Sequence, residues 1–103
     1  MQHLIEGDSA NATARLISAL DSPLRVYLLA LLNKREHFVH ELVEQLGKSQ
    51  PLVSQHLRVL KEAGIITAHR AGREVAYRLS RPEVMQILDS ALNLSRDIEH
   101  EPK

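Results

Sequence analysis

The stretch from Lys48 to Leu79, KSQPLVSQHLRVLKEAGIITAHRAGREVAYRL, decides the fold. It joins a helix with a polar start to a basic two-stranded hairpin, the form of a groove-entering helix followed by a wing. Pro51 can open the helix with Ser49 or Gln50 as its cap, and Val53, Leu57 and Leu60 recur at helical spacing on one face. Ala63-Gly64 ends it. Ile65 to His69 and Glu74 to Leu79 then read as strands, with Gly72 in the connection. The second strand sets Val75, Tyr77 and Leu79 inward and Ala76 and Arg78 outward.

Upstream, VHELVEQLG places Val39, Leu42, Val43 and Leu46 on one helical face and stops at Gly47, a natural left-handed cap. With the following helix it makes a helix-turn-helix over residues 39–63, and the wing occupies 65–79. Ser22-Pro23 starts a helix running to about Lys34, whose LRVYLLALL is apolar nearly all round and so is expected to lie buried between other elements. Ala14, Leu16, Ile17 and Leu20 mark an earlier helix from Asn11 to near Asp21, and residues 1–9 read as a flexible N-terminal arm.

A last helix begins at Arg81-Pro82 and spans about 82–100, with Val84, Ile87, Leu88, Ala91, Leu92, Leu94 and Ile98 apolar. That stripe is wider than one small core needs. A second copy is therefore expected against Leu16, Ile17, Leu20, Ile87, Leu88, Ala91, Leu94 and Ile98. The predicted fold class is mainly α with a small β-hairpin: a winged helix-turn-helix of order α-α-α-α-β-β-α in one domain, residues 10–103, dimerising through its first and last helices.

Charge supports a polyanionic partner although the chain as a whole has a formal net charge of zero. Seven of the 13 Lys and Arg (Lys48, Arg58, Lys61, Arg70, Arg73, Arg78 and Arg81) fall between residues 48 and 81 against Glu62 and Glu74 only, a local excess of +5. Residues 1–47 carry −2 and residues 82–103 carry −3. Phosphates respond to the local field rather than to the total. Aromatics are few (Tyr27, Phe38, Tyr77), which favours a duplex over the stacking platforms of single-strand binders.

The absence of cysteine excludes disulfides, thiolate metal sites and thiol redox switches. Neither a leader pattern nor an apolar run of about 20 residues is present, so a cytoplasmic protein is expected. His40-Glu41-Leu42-Val43-Glu44 lacks the second histidine of a metallohydrolase motif, and no phosphate loop or nucleophile elbow occurs. An enzyme is not expected. The rival class is a winged-helix module that docks on protein, which would need an apolar patch where Gln50, Ser54, Gln55 and Arg58 stand.

On VHELVEQLG, SQPLVSQHLRVLKEAGI and RAGREVAYRL, the chain resembles the ArsR/SmtB family of bacterial transcriptional repressors over essentially its whole length. The resemblance implies a homodimer on an inverted-repeat operator, released by an inducer that is often a metal ion. In this reading Lys48, Ser49, Gln50, Ser54, Gln55 and His56 stand at the exposed start of the recognition helix. Arg58 is placed for phosphate, and Arg70, Arg73 and His69 reach the backbone or minor groove from the wing.

The family's two metal locations both depart from pattern. The terminal-helix site would need ligands at Arg81, Glu83, Leu94 and Asp97, and arginine and leucine cannot bind zinc. A carboxylate pair from Glu83 and Asp97, with Asp89 or His100 nearby, would be a different arrangement. At the start of the short helix, Phe38 holds a usual cysteine position. His37, His40 and Glu41, joined by His3 from the arm of the other subunit, would make a nitrogen and oxygen set suited to Zn²⁺, Ni²⁺ or Co²⁺. A repressor with no metal response, one that senses histidine protonation, and one that takes a small apolar ligand are the alternatives.

Overall fold

The computed structural model describes residues 2–102; Met1, at the tip of the expected arm, and Lys103 lie outside the described residues. A short 3-10 turn over Gln2–Ile5 leads into α1 (Ser9–Leu20), which starts two residues earlier than the apolar spacing indicates. The chain then bends by 83° into α2 (Pro23–Lys34). Ser22 sets that corner: its backbone is extended, its Oγ accepts from the Arg25 N–H at 3.2 Å, and Pro23 fills a position that needs no donor.

Leu28, Leu29, Leu31 and Leu32 of α2 are buried between other elements, while one side of this nearly all-apolar helix stays open. Val26 and Tyr27 are 38% and 56% exposed, and they border an open apolar groove with Ala30 and with Leu92 near the C-terminus. Residues 50–62, 74–79 and 84–100 pack against the buried side of α2. No single helix among the described residues is long and apolar enough to cross a membrane.

After α2 the chain makes a two-residue strand, β1 (His37–Phe38), which the sequence reading did not anticipate because two residues carry no periodicity. Helix α3 (Val39–Leu46) follows directly and ends on Gly47 at φ 63°, where the Gly47 N–H donates to the Val43 carbonyl. Helix α4 (Gln50–Glu62) is capped by Ser49, not Gln50: the Ser49 hydroxyl accepts from the Leu52 N–H at 3.4 Å. Val53, Leu57 and Leu60 point into the core with no exposed surface. Strands β2 (Ile66–Ala71) and β3 (Glu74–Leu79) form the wing, and β1 adds to the outer edge of β3, so the hairpin becomes a three-stranded antiparallel sheet of order β1-β3-β2.

Register decides which wing residues share a face. His37 pairs with Tyr77 and Ala68 with Tyr77, while Phe38 and His69 both pair with Ala76. His37, Tyr77, Val75, Leu79, Ile66 and Arg70 therefore line the face toward the helices; Phe38, Ala76, His69, Arg78 and Thr67 line the other. The strand alternation predicts Ala76 outward. It does face outward, yet it is 1% exposed, because a methyl between Phe38 and His69 is covered by its larger neighbours.

Helix α5 (Val84–His100) begins two residues after Pro82, following a turn in which Val84 N–H donates to Arg81 and Met85 N–H to Pro82. Val84 is buried and Met85 and Leu88 lean on the core, whereas Ile87, Leu92, Leu94 and Ile98 are 42% to 60% exposed. Replacing Leu57, fully buried and at the centre of α4, with Ala should destabilise the protein by roughly 2–5 kcal/mol. A lowered urea midpoint with an unchanged slope is the expected result.

Candidate nucleic-acid interface

The core stripe of α4 fixes what the rest of that helix shows. With Val53, Leu57 and Leu60 inward, the helical repeat puts Pro51, Gln55, Arg58 and Glu62 on the opposite, exposed side. Gln50 and Ser54 turn toward the wing, where they line an open groove of about 310 Å³ with Val39, His40, Val75 and Tyr77. His56 and Leu52 turn the other way, toward Tyr27 of α2. Of the residues read as a base-contacting group, Gln50, Ser54 and Gln55 share one accessible surface with Arg58. Lys48 and Ser49 sit exposed at its head.

His56 leaves that group. It is half-buried, and its Nδ1 accepts from the Arg25 guanidinium at 3.0 Å, which fixes the proton on Nε2. Burial, followed by the Arg25 charge, pushes its pKa below the ordinary 6.5. Ser49 likewise has its hydroxyl engaged as the cap of α4.

In the wing, Arg70 lies on the face toward α4 and Arg73 at the turn, both exposed and, among the described residues, in no ion pair. His69, read as a partner of those arginines, lies on the opposite face with Nε2 3.6 Å from Glu36 Oε2. Arg78 shares that face and donates from Nε to Thr67 Oγ1 at 3.3 Å. The alternation of the strand is the cause, since adjacent residues point to opposite sides. The turn end of the wing is tied back to α3, where His40 Nδ1 donates to Glu74 Oε1 at 2.8 Å and the imidazole stacks on Phe38.

The expected set of His3, His37, His40 and Glu41 does not assemble within one protomer. His37 is in β1, before the helix begins, so its spacing of three from His40 does not put both rings on one helical face. It is 3% exposed and donates from Nδ1 to the Arg35 carbonyl at 2.9 Å. Glu41 accepts two bonds from Arg35, at 3.0 and 3.3 Å, and one from the Phe38 N–H at 2.9 Å. His3 is exposed in the N-terminal 3-10 turn. Among the described residues no three His, Asp or Glu side chains are placed to hold a metal ion. Glu83 and Asp97 stand fourteen residues apart along α5, about 20 Å at the helical rise, too far to share an ion in one protomer.

The residues matched by the profile described as "Bacterial regulatory protein, arsR family" are 22–68, from the corner before α2 to the first strand of the wing. A biofilm growth-associated repressor of Xylella fastidiosa is 37% identical over 81 residues, covering 79% of this chain and 71% of the relative. The chain belongs to the arsR family. The HTH-type transcriptional repressor SmtB of Mycobacterium tuberculosis is 43% identical to this arsR-family chain over 88 residues, 84% of the chain and 65% of the relative, so the chain spans about two thirds of that protein's length. The crystal structure of the transcriptional repressor BigR from Xylella fastidiosa superposes with a TM-score of 0.73 at 35% identity, covering 82% of this chain and 87% of that one. The winged helix-turn-helix expected from the sequence is thus the arsR-family fold, and the family is one of regulators rather than enzymes.

The Arg35 hydrogen bonds, followed by the Phe38 N–H, lower the Glu41 pKa from 4.5 to about 2. A carboxyl held below its ordinary value stabilises the fold above that value, and the contribution fades as pH falls from about 4.5 toward 2. Glu41→Gln should therefore lower the melting temperature at pH 7 and converge on the wild type near pH 2. Thermal unfolding followed across that range checks it.

Proposed function

We propose that this arsR-family chain is a homodimeric transcriptional repressor that binds double-stranded DNA at an inverted-repeat operator, working in the cytoplasm where the chromosome lies. The observation that carries this reading is the shared surface of α4 and the wing. Gln50, Ser54 and Gln55 offer bidentate and hydroxyl groups to base edges, flanked by Lys48, Arg58, Arg70 and Arg73, which make no ion pair among the described residues. A protein-docking surface would be apolar there, and the exposed side of α4 is polar and charged.

Dimerisation would bury the apolar residues that the protomer leaves open: Leu16 and Ile17 of α1 and Ile87, Ala91, Leu94 and Ile98 of α5. Leu20, expected among them, is 7% exposed and belongs to the protomer's own core; Leu88 is partly taken up there. Residues 39–63 and 65–79 act as the reading unit, 82–100 as the dimerising helix and 1–9 as the arm of the 10–103 body. As inducer, a divalent metal such as Zn²⁺ would need ligands drawn from both protomers, because within one His40 turns to Glu74, His37 Nδ1 is bound to the Arg35 carbonyl and Glu41 is taken by Arg35.

Binding to a duplex selected from random-sequence DNA, measured by fluorescence anisotropy at two salt concentrations, tests the central claim. Affinity should fall steeply with salt. Arg73→Ala should weaken specific and random DNA alike, whereas Gln50→Ala should relax base preference at one operator position by roughly 1–3 kcal/mol. Salt-insensitive binding, or equal effects of both variants on both DNAs, would refute this division of roles. Leu94→Glu with Ile98→Glu should sediment as a monomer and lose operator affinity; an unchanged sedimentation coefficient would remove the α5 interface.

A further inference from the structure

Arg25 is engaged at all three of its guanidinium nitrogens. Nε donates to the Ala19 carbonyl at 2.8 Å, Nη2 to Ser18 and Asp21 carbonyls at 3.3 and 3.4 Å, and Nη1 to His56 Nδ1 at 3.0 Å. The last carbonyls of α1 lack the next helical turn that would satisfy them, with Ser18 accepting from the capping Asp21 N–H, and a cation there also meets the negative end of the helix dipole. One planar group therefore closes α1, stands on α2 and holds α4 from the side opposite the wing. We propose that Arg25 and His56 are positioning residues for DNA recognition: they strut α4 against the end of α1, and the strut holds only while the imidazole is neutral.

The geometry gives the sign. An imidazole with both nitrogens protonated has no acceptor for Nη1, and it would set two cations 3.0 Å apart. Lys48 is the other charged group lining the cavity into which His56 turns, about 520 Å³ bounded also by Ser22, Tyr27, Gln45 and Leu52, and no carboxylate lines it to offset the added charge. Acid therefore removes the polar link between α4 and the end of α1 and leaves only the apolar packing around Leu20. Leu16 and Ile17 of α1 belong to the face assigned above to dimerisation, so loss of the strut uncouples the reading helix from the symmetric frame that spaces it. The proposal rests on the DNA-binding reading.

The test compares wild type, His56→Asn and Arg25→Lys on a duplex selected by the wild type, at pH 7.5 and 5.5. Asparagine keeps an acceptor near the Nδ1 position and does not titrate; lysine keeps the charge but loses the fork. The ratio to His56→Asn at each pH cancels effects common to all three proteins and isolates this ring. Wild type should lose roughly three- to tenfold in affinity relative to His56→Asn on going to pH 5.5. Arg25→Lys should bind more weakly at pH 7.5 and show a smaller pH gap.

Parallel pH profiles for wild type and His56→Asn would overturn the strut. Ring nitrogen NMR of the wild type decides the matter even if a variant fails to fold. The expected result is an Nε2–H tautomer whose titration shifts the Ala19 to Asp21 amides in step; an Nδ1–H tautomer, or amides indifferent to the ring, would reject the proposal. Failure of the wild type to bind DNA at either pH would indict the functional reading instead, and the NMR titration would still stand as the test of the strut.

Discussion

The packing of Leu28, Leu29, Leu31 and Leu32 of α2 with Val53, Leu57 and Leu60 of α4 in one buried cluster is the contact on which the other features depend. A helix of thirteen residues with three apolar side chains in the interior has little freedom to rotate about its axis, since any rotation would expose leucine and bury glutamine or arginine. That constraint selects Gln55 and Arg58 for solvent, Gln50 and Ser54 for the wing side and His56 for the α2 side. The presentation of the polar surface is thus a by-product of hydrophobic burial, with Ser49 and Pro51 fixing where the helix starts.

The sheet adds a second constraint of a different kind. Antiparallel register between β2 and β3 divides the basic wing into two sets that the sequence presents as one. Arg70 faces the helices and Arg73 crowns the turn, while His69 and Arg78 are held on the far face by Glu36 and Thr67. The His40 to Glu74 contact then ties the turn end of the wing to the start of α3, so that wing and helix-turn-helix share an anchor besides the chain itself. Both histidine pairs are largely exposed, and their effect lies in orientation more than in stability.

Much of this was legible in the sequence because strong local signals coincide with the fold. Ser22-Pro23, Gly47 and Ser49-Pro51 act through backbone chemistry that needs no distant partner, and the boundaries they imply agree with the structure. What could not be read depends on contacts far apart in the chain. The strand at His37–Phe38 exists only because β3 offers it an edge, and its formation takes His37 out of the helical register assumed for metal binding. Leu20 looks like surface by its place in an amphipathic stripe and is core because α1 ends beside α4. Arg25 carries no motif at all; thirty-one residues separate it from His56.

The segregation of charge along the chain has a further effect on how the molecule meets a polyanion. With +5 on residues 48–81 and negative totals on either side, the neutral protein is an electrical dipole. Its approach to a duplex is accompanied by a torque that turns the cationic end forward, while wrongly oriented collisions are repelled before contact. A uniformly basic protein of the same size would gain attraction in every orientation and linger wherever it touched. Neutrality overall with polarity within favours productive encounters without a lasting hold on unrelated sequence.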